Sequence, residues 1–172
     1  AAGGITTIIA LPNTDPVIDD VAGVEFIARR ARKVGLAKVF AYGAVSKGIE
    51  GGEITEMGLL HQAGAVAFCD GVKTIASARL LRQALSYSTF FDGMIVQHPE
   101  EPELSRGASM NSGELATRLG LSGVSPLAEV MQIERDLRLV EMTGGRLHFA
   151  HISTGESVEV IRKAKKRGLK VT

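Results

Sequence analysis

Three short apolar segments of this chain each lead into a residue that can bind a metal ion. The segments and the residues that follow them are Ala65–Cys69 with Asp70, Met94–Gln97 with His98, and Leu147–Ala150 with His151. Neutral imidazole and ionised carboxylate groups are both common ligands of zinc. Apolar runs of this length, separated by helical patterns, are typical of buried strands in a parallel sheet, whose carboxyl ends share one edge. We therefore predict that the three side chains contribute to one metal site.

Each of these residues also has a simpler structural interpretation. A single histidine after an apolar run is more often a hydrogen-bonded structural residue, and Asp70 is also suited to a turn or a helix cap. His148 lies three residues before His151, so strand alternation places the two on opposite faces, and we assign the metal to His151. By the same alternation Cys69 faces away from Asp70 and packs in the core. Asn13 follows the first strand, where its amide either contacts a substrate or serves the turn alone.

Strands and helices alternate along the whole chain. Strands are predicted at 5–11, 38–45, 65–69, 94–97, 146–152 and from 169 onward. Helices are predicted between them, the longest from Pro126 to Met142, where the proline suits the first turn. This alternation indicates βαβ units and an all-parallel sheet.

Two architectures share that alternation. A doubly wound sheet usually carries a glycine-rich turn after its first strand, but Pro12–Pro16 occupies that place here. A (β/α)8 barrel instead places functional residues at the ends of several strands. We predict an α/β fold, a partial (β/α)8 barrel with approximately strands 2 to 7. Residues 1–172 are expected to form a single domain that lacks the first and last strands, an internal fragment of a longer protein.

The composition disfavours several classes of function. The formal net charge is +1, which does not indicate a nucleic-acid-binding surface. No apolar run approaches the roughly 18 residues that a membrane span requires. The single cysteine excludes an intramolecular disulfide and indicates a reducing, cytoplasmic compartment.

Six parts of the chain carry recognisable motifs. They are Gly3–Pro16, Gly43–Gly51, Met57–Phe68, Gln97–Glu100, Met110–Glu114 with Arg118–Leu121, and Thr143–Thr154. Through these motifs, over essentially its full length, the chain resembles the dihydroorotases of the longer bacterial type, in the amidohydrolase superfamily.

The resemblance implies a distorted (β/α)8 barrel with one or two zinc ions. It also implies the interconversion of carbamoyl-aspartate and dihydroorotate in pyrimidine biosynthesis, by a homo-oligomeric parent protein. By motif, Asp70 matches the carboxylate of the fourth strand, which binds metal and takes part in catalysis. His98 and His151 match the metal ligands of the fifth and sixth strands. Asn13 matches an asparagine that contacts the substrate carboxylate. The His-x-His pair of the first strand and the aspartate of the eighth are not among these residues, so the fragment alone is expected to be inactive.

Two departures from the family pattern leave other functions open. A single aspartate, Asp70, stands where two consecutive aspartates are common, and Pro99-Glu100-Glu101 replaces the more familiar Cys-Glu-Asp. One alternative is a catalytically inactive scaffold for aspartate transcarbamoylase. Another is a related allantoinase or hydantoinase, although those enzymes usually carry a lysine at the position of Asp70.

Overall fold

The computed structural model describes all 172 residues, and its main sheet contains five parallel strands. The strands are β1 (Thr7–Ala10), β2 (Lys38–Gly43), β3 (Ala65–Phe68), β4 (Met94–Gln97), β5 (Met110–Asn111), β6 (Gly123–Val124) and β7 (Arg146–Phe149). The helices are α1 (Val21–Val34), α2 (Met57–Gln62), α3 (Ala78–Ser88), α4 (Pro102–Ser105), α5 (Glu114–Leu119), α6 (Pro126–Thr143) and α7 (Gly155–Lys166). Two short 3-10 turns lie at Lys47–Ile49 and Thr89–Phe91.

The strands of the main sheet follow one another in chain order, β1-β2-β3-β4-β7. All of them are parallel, and β4 pairs with β7 starting from Met94 and Arg146. A parallel bridge between Leu147 and Val171 marks the next strand, which the sequence predicted from residue 169. A doubly wound sheet reverses its strand order partway, whereas a (β/α)8 barrel does not. The α/β fold with the strand order of a partial barrel is therefore confirmed.

The part of the chain that connects β4 to α6 forms a second, two-stranded sheet, which was not predicted. Its strands β5 and β6 are parallel and pair Met110 with Gly123. Strands of two residues are too short for an alternating pattern to reveal them. This sheet carries Asn111 towards the end of the main sheet, where the Asn111 amide donates a hydrogen bond of 3.2 Å to the Ser153 hydroxyl.

The helix boundaries follow the capping residues that the sequence provides. Asp20 begins α1, because its carboxylate accepts a hydrogen bond of 2.8 Å from the Gly23 N–H. Gly35 ends α1 with a φ of 67°, a left-handed conformation that suits glycine. Ser125 caps α6 and Pro126 opens it. None of the helices combines the length and hydropathy needed to span a bilayer.

The core lies mainly between the helices and one face of the sheet. This outer cluster of 22 buried residues joins strand residues such as Phe68 and Leu147 to helix residues such as Leu81 and Ile133. The opposite, inner face carries a smaller cluster of Ala67, Cys69 and Val96, with Tyr42, Met94 and Ala150 packed against it. Cys69 therefore packs on the inner face, and burial raises the pKa of its thiol to about 11.

A buried polar network ties the end of β4 to α6, directly before His98. Gln97 donates from Nε2 to the Asp136 carboxylate at 2.9 Å and accepts at Oε1 from the Ile75 N–H at 2.9 Å. Arg135 donates from Nε to the other oxygen of Asp136 at 2.8 Å. Burial raises the pKa of Asp136 to about 6, although Arg135 and Gln97 oppose the rise. The network holds the β4 backbone in register beside the candidate site.

Raising the pH is expected to lower the free energy of unfolding through Asp136. The folded state binds this proton more tightly than the unfolded chain does, where an aspartate has a pKa of about 3.9. The stabilisation is complete below the unfolded pKa and is lost as the pH rises through the folded value of about 6. It amounts to at most about 3 kcal/mol.

Urea unfolding of the full-length protein and of its Asp136→Asn variant, from about pH 4 to about pH 7, measures this contribution. The variant is expected to lose less stability than the wild type over that interval. Equal losses in the two proteins would contradict the assignment to Asp136.

Candidate metal centre

His98 and His151 come together at the carboxyl edge of the sheet. Their Nδ1 atoms lie 3.3 Å apart, and their rings meet at 63° with centroids 5.4 Å apart. His98 directly follows β4, and His151 follows β7 after Ala150. Because β4 and β7 are hydrogen-bonded neighbours, two residues far apart in the sequence reach one point. The predicted proximity of these two histidines is present in the structure.

Glu100 lies against one ring nitrogen of His98 and leaves the other facing His151. Its Oε2 lies 3.1 Å from His98 Nε2, and the tautomer with its proton on Nε2 would donate to this carboxylate and leave the Nδ1 lone pair for a ligand. A carboxylate behind an imidazole is also the usual partner of a metal-binding histidine. Two nitrogens bound to one tetrahedral zinc at about 2.0–2.1 Å lie about 3.3–3.4 Å apart. The 3.3 Å distance between the Nδ1 atoms of His98 and His151 therefore fits two ligands of one zinc ion.

The backbone at His151 is in the left-handed region, with a φ of 59°. Such a conformation costs a non-glycine residue roughly 1–3 kcal/mol and persists where the surroundings hold it. Strand β7 ends at Phe149, so the predicted strand through Ile152 is too long. The direction of the His151 side chain was predicted from strand alternation, which the turn at this residue interrupts. The loop conformation determines that direction instead.

His148 lies on the inner face of the sheet. It pairs with Val96 of β4, whose side chain belongs to the inner-face cluster. Its Nδ1 lies 2.8 Å from the Thr172 hydroxyl. Burial, and secondarily the charge of the neighbouring His151, lowers the pKa of His148. The expectation that His151 alone faces this side is therefore wrong, and the packing or supporting role of His148 stays a prediction.

Asp70 does not join the two histidines. Its Oδ1 accepts hydrogen bonds from the Val45 and Ser46 N–H groups at 3.0 and 2.9 Å, and its Oδ2 accepts from the Ser46 hydroxyl at 2.6 Å. The side chain is buried, and burial raises its pKa although these hydrogen bonds oppose the rise. The carboxylate thus joins the end of β3 to the loop after β2. Its predicted metal-binding and catalytic role stays a prediction, and these contacts give it a structural explanation.

The chain brings two of the three predicted ligands together. No group of three or more histidine, cysteine, aspartate or glutamate side chains is placed to hold a metal ion. A zinc ion in a catalytic site needs three protein ligands. His98 and His151 would therefore supply part of a coordination sphere.

Asn13 lies at the same edge of the sheet, in the turn after β1. It packs against Gly71, where an added Cβ would lie only 2.9 Å from the Asn13 Cβ. Its side chain is exposed. This position is compatible with the predicted contact to a substrate, and that contact stays a prediction.

A small cavity of about 140 Å³ adjoins the histidine pair and reveals a residue that the sequence analysis missed. Its lining includes His98, His151, Asn111 and Glu129. Glu129 is a charged residue between Ala128 and Val130 on the buried side of α6. Burying a carboxylate costs free energy unless it is hydrogen-bonded. A glutamate among the buried positions of a helix is therefore a sequence signal that could have identified Glu129.

Sequence comparisons place the chain beside known proteins. A family model described as "Dihydro-orotase-like" matches residues 1–157. The chain is 46% identical over 172 residues to a dihydroorotase of Endomicrobium trichonymphae, of which it covers 41%. It is 46% identical over 171 residues to a dihydroorotase of Syntrophobacter fumaroxidans, of which it covers 39%. The chain thus spans about two fifths of the length of these relatives.

Solved structures share the fold. The L-hydantoinase of Arthrobacter aurescens superposes with a TM-score of 0.70 at 24% identity, over 99% of this chain and 39% of that chain. The dihydropyrimidinase of Brevibacillus agri superposes with a TM-score of 0.67 at 17% identity, over 98% of this chain and 38% of that chain. At these identities the likeness concerns the fold, and it agrees with the predicted partial barrel.

Proposed function

The chain belongs to the dihydro-orotase-like family, and from this premise we propose that the full-length protein is a zinc-dependent hydrolase of cyclic amides. We propose further that it is a dihydroorotase, which interconverts carbamoyl-aspartate and dihydroorotate in pyrimidine biosynthesis. The observation that supports a metal-assisted reaction is the 3.3 Å contact between the Nδ1 atoms of His98 and His151. The 46% identity to dihydroorotases supports the substrate.

The residues of this chain would hold and orient the reacting groups. When bound, zinc supplies a water of lowered pKa as nucleophile and polarises the amide carbonyl. His98 and His151 would bind the metal through Nδ1, and Glu100 would keep the proton of His98 on Nε2. The exposed amide of Asn13 would donate hydrogen bonds to the substrate carboxylate. Further ligands would come from parts of the protein outside these residues.

Turnover by the full-length protein tests the proposal. Purified protein, loaded with zinc and assayed on dihydroorotate, hydantoin and allantoin, is expected to hydrolyse dihydroorotate in preference to the other two. Metal content measured on the same preparation should show bound zinc. Absence of both zinc and turnover at saturating metal would contradict the proposal, and a preference for hydantoin or allantoin would change the substrate.

One observation favours a second candidate, an inactive scaffold for aspartate transcarbamoylase. Both carboxylate oxygens of Asp70 are occupied by Val45 and Ser46, and a third ligand does not approach the histidine pair. A scaffold would co-sediment with aspartate transcarbamoylase and show no hydrolysis. The homo-oligomeric state and the cytoplasmic location stay predictions. The same sedimentation measurement gives the oligomeric state.

A further inference from the structure

We infer that Glu129 is a positioning residue for His151. Glu129 lies on α6 and is only 8% exposed, although it carries an ionisable group. Its Oε2 accepts from the N–H and the hydroxyl of Ser153 at 2.9 and 2.8 Å. Its Oε1 accepts from the N–H and the hydroxyl of Thr154 at 3.1 and 2.8 Å. One carboxylate thus binds all four donors of the two residues that begin the loop after Ile152; we call this arrangement the Glu129 clamp.

The clamp acts where the backbone is strained. His151 adopts a φ of 59°, and the clamped residues follow it after a single intervening position. A left-handed histidine would relax into an extended conformation if the following loop were free to move. The imidazole would then turn away from His98, since its direction depends on the backbone angles at its own Cα. The hydrogen bonds of Glu129 oppose that relaxation.

Two further contacts make the clamp rigid. The Thr154 hydroxyl accepts from the Ser157 N–H at 3.2 Å and so caps α7. Asn111, from the small β5–β6 sheet, donates to the Ser153 hydroxyl at 3.2 Å. Burial alone would raise the pKa of Glu129, but the hydrogen bonds that its carboxylate accepts, among them those from Ser153 and Thr154, hold the pKa below its ordinary value. The carboxylate is therefore ionised and accepts from all its partners at neutral pH.

Glu129→Gln in the full-length protein tests the inference. The amide is isosteric, but its NH2 group faces two of the four donors, so half of the clamp is lost. In zinc-free protein, nitrogen NMR of the imidazoles is expected to show the His151 signals moving towards those of a free histidine. Zinc affinity, measured against a chelator, is expected to fall about 10–100-fold. kcat is expected to fall with it, while KM changes little.

Two matched variants separate positioning from stability. Asp20→Ala removes the cap of α1, far from the clamp, at a cost of about 1 kcal/mol. It should leave the His151 signals and zinc affinity unchanged. Ser153→Ala removes one donor and should give a smaller shift in the same direction as Glu129→Gln, which keeps a test available if the glutamine variant does not fold.

The inference rests on the proposed function only for its zinc and activity readouts. If the wild-type protein binds no zinc and turns over no cyclic amide, the proposed function fails, and the His151 spectrum still decides the role of Glu129. Wild-type His151 signals in folded Glu129→Gln, or in folded Ser153→Ala if the glutamine variant does not fold, would overturn the inference.

Discussion

His151→Ala in the full-length protein is expected to lower turnover by about a thousandfold or more, with a matching loss of bound zinc. His151 supplies one of the two nitrogens that meet at 3.3 Å, and no third side chain of this chain is placed to replace it. A metal ion contributes several kcal/mol of stabilisation to the charge that develops in the transition state, and about 1.4 kcal/mol corresponds to a factor of ten in rate. Steady-state kinetics and metal analysis on the same preparation measure both effects.

The strained backbone at His151 provides the control. Glycine adopts a φ of 59° without strain, so His151→Gly is expected to be more stable than His151→Ala by about 1 kcal/mol. Both variants should lack turnover. If thermal unfolding shows the glycine variant to be the more stable while neither binds zinc, the loss of activity follows from the imidazole and not from unfolding. Turnover that survives in either variant would remove His151 from the ligand set.

The positions of β3 and β4 could be predicted because both are apolar runs that lie largely buried, whereas the apolar run of β1 is mostly exposed. Ala65–Phe68 and Met94–Gln97 have the predicted bounds to within one residue, and their parallel order follows from the helices between them. The meeting of His98 with His151 could be predicted for the same reason, since neighbouring parallel strands end at one edge. Hydrophobic burial determines these features, and the spacing of apolar residues along the sequence indicates which segments are buried.

The orientation of Asp70 could not be predicted in this way. β3 ends at Phe68, before Cys69 and Asp70, and Cys69 packs on the inner face of the sheet. The direction of the Asp70 carboxylate depends on donors at Val45 and Ser46, which precede it by 25 and 24 positions. Hydrogen bonds over such separations leave no periodic signal.

Glu129 and the bend at His151 were missed for a related reason. The α6 pattern predicts a helix with a buried stripe, and it does not indicate that a carboxylate in that stripe is satisfied by Ser153 and Thr154. A histidine at a positive φ has no sequence signature comparable with that of glycine. Local strain and the polar contacts that hold it therefore become visible only when the loops are in place.

Asp70→Ala is expected to lower the free energy of unfolding by about 3 kcal/mol or more, because it leaves three buried donors without a partner. The donors are the N–H groups of Val45 and Ser46 and the Ser46 hydroxyl. Ser46→Ala removes the hydroxyl alone and is expected to cost about 1 kcal/mol. Since both changes disrupt one buried network, the double variant should lose less than the sum of the single losses. Urea unfolding of the four proteins measures this coupling.

Zinc affinity in the same set of variants distinguishes the two roles of Asp70. If the carboxylate only joins the end of β3 to the loop after β2, Asp70→Ala and Ser46→Ala should both retain the zinc affinity of the folded wild type, whatever their stability. If Asp70 leaves its hydrogen bonds to bind the metal in the full-length protein, Asp70→Ala alone should lose it. The three hydrogen bonds at 2.6–3.0 Å favour the first result, because a ligand role would require the metal to compensate for two buried N–H groups and a hydroxyl left unpaired.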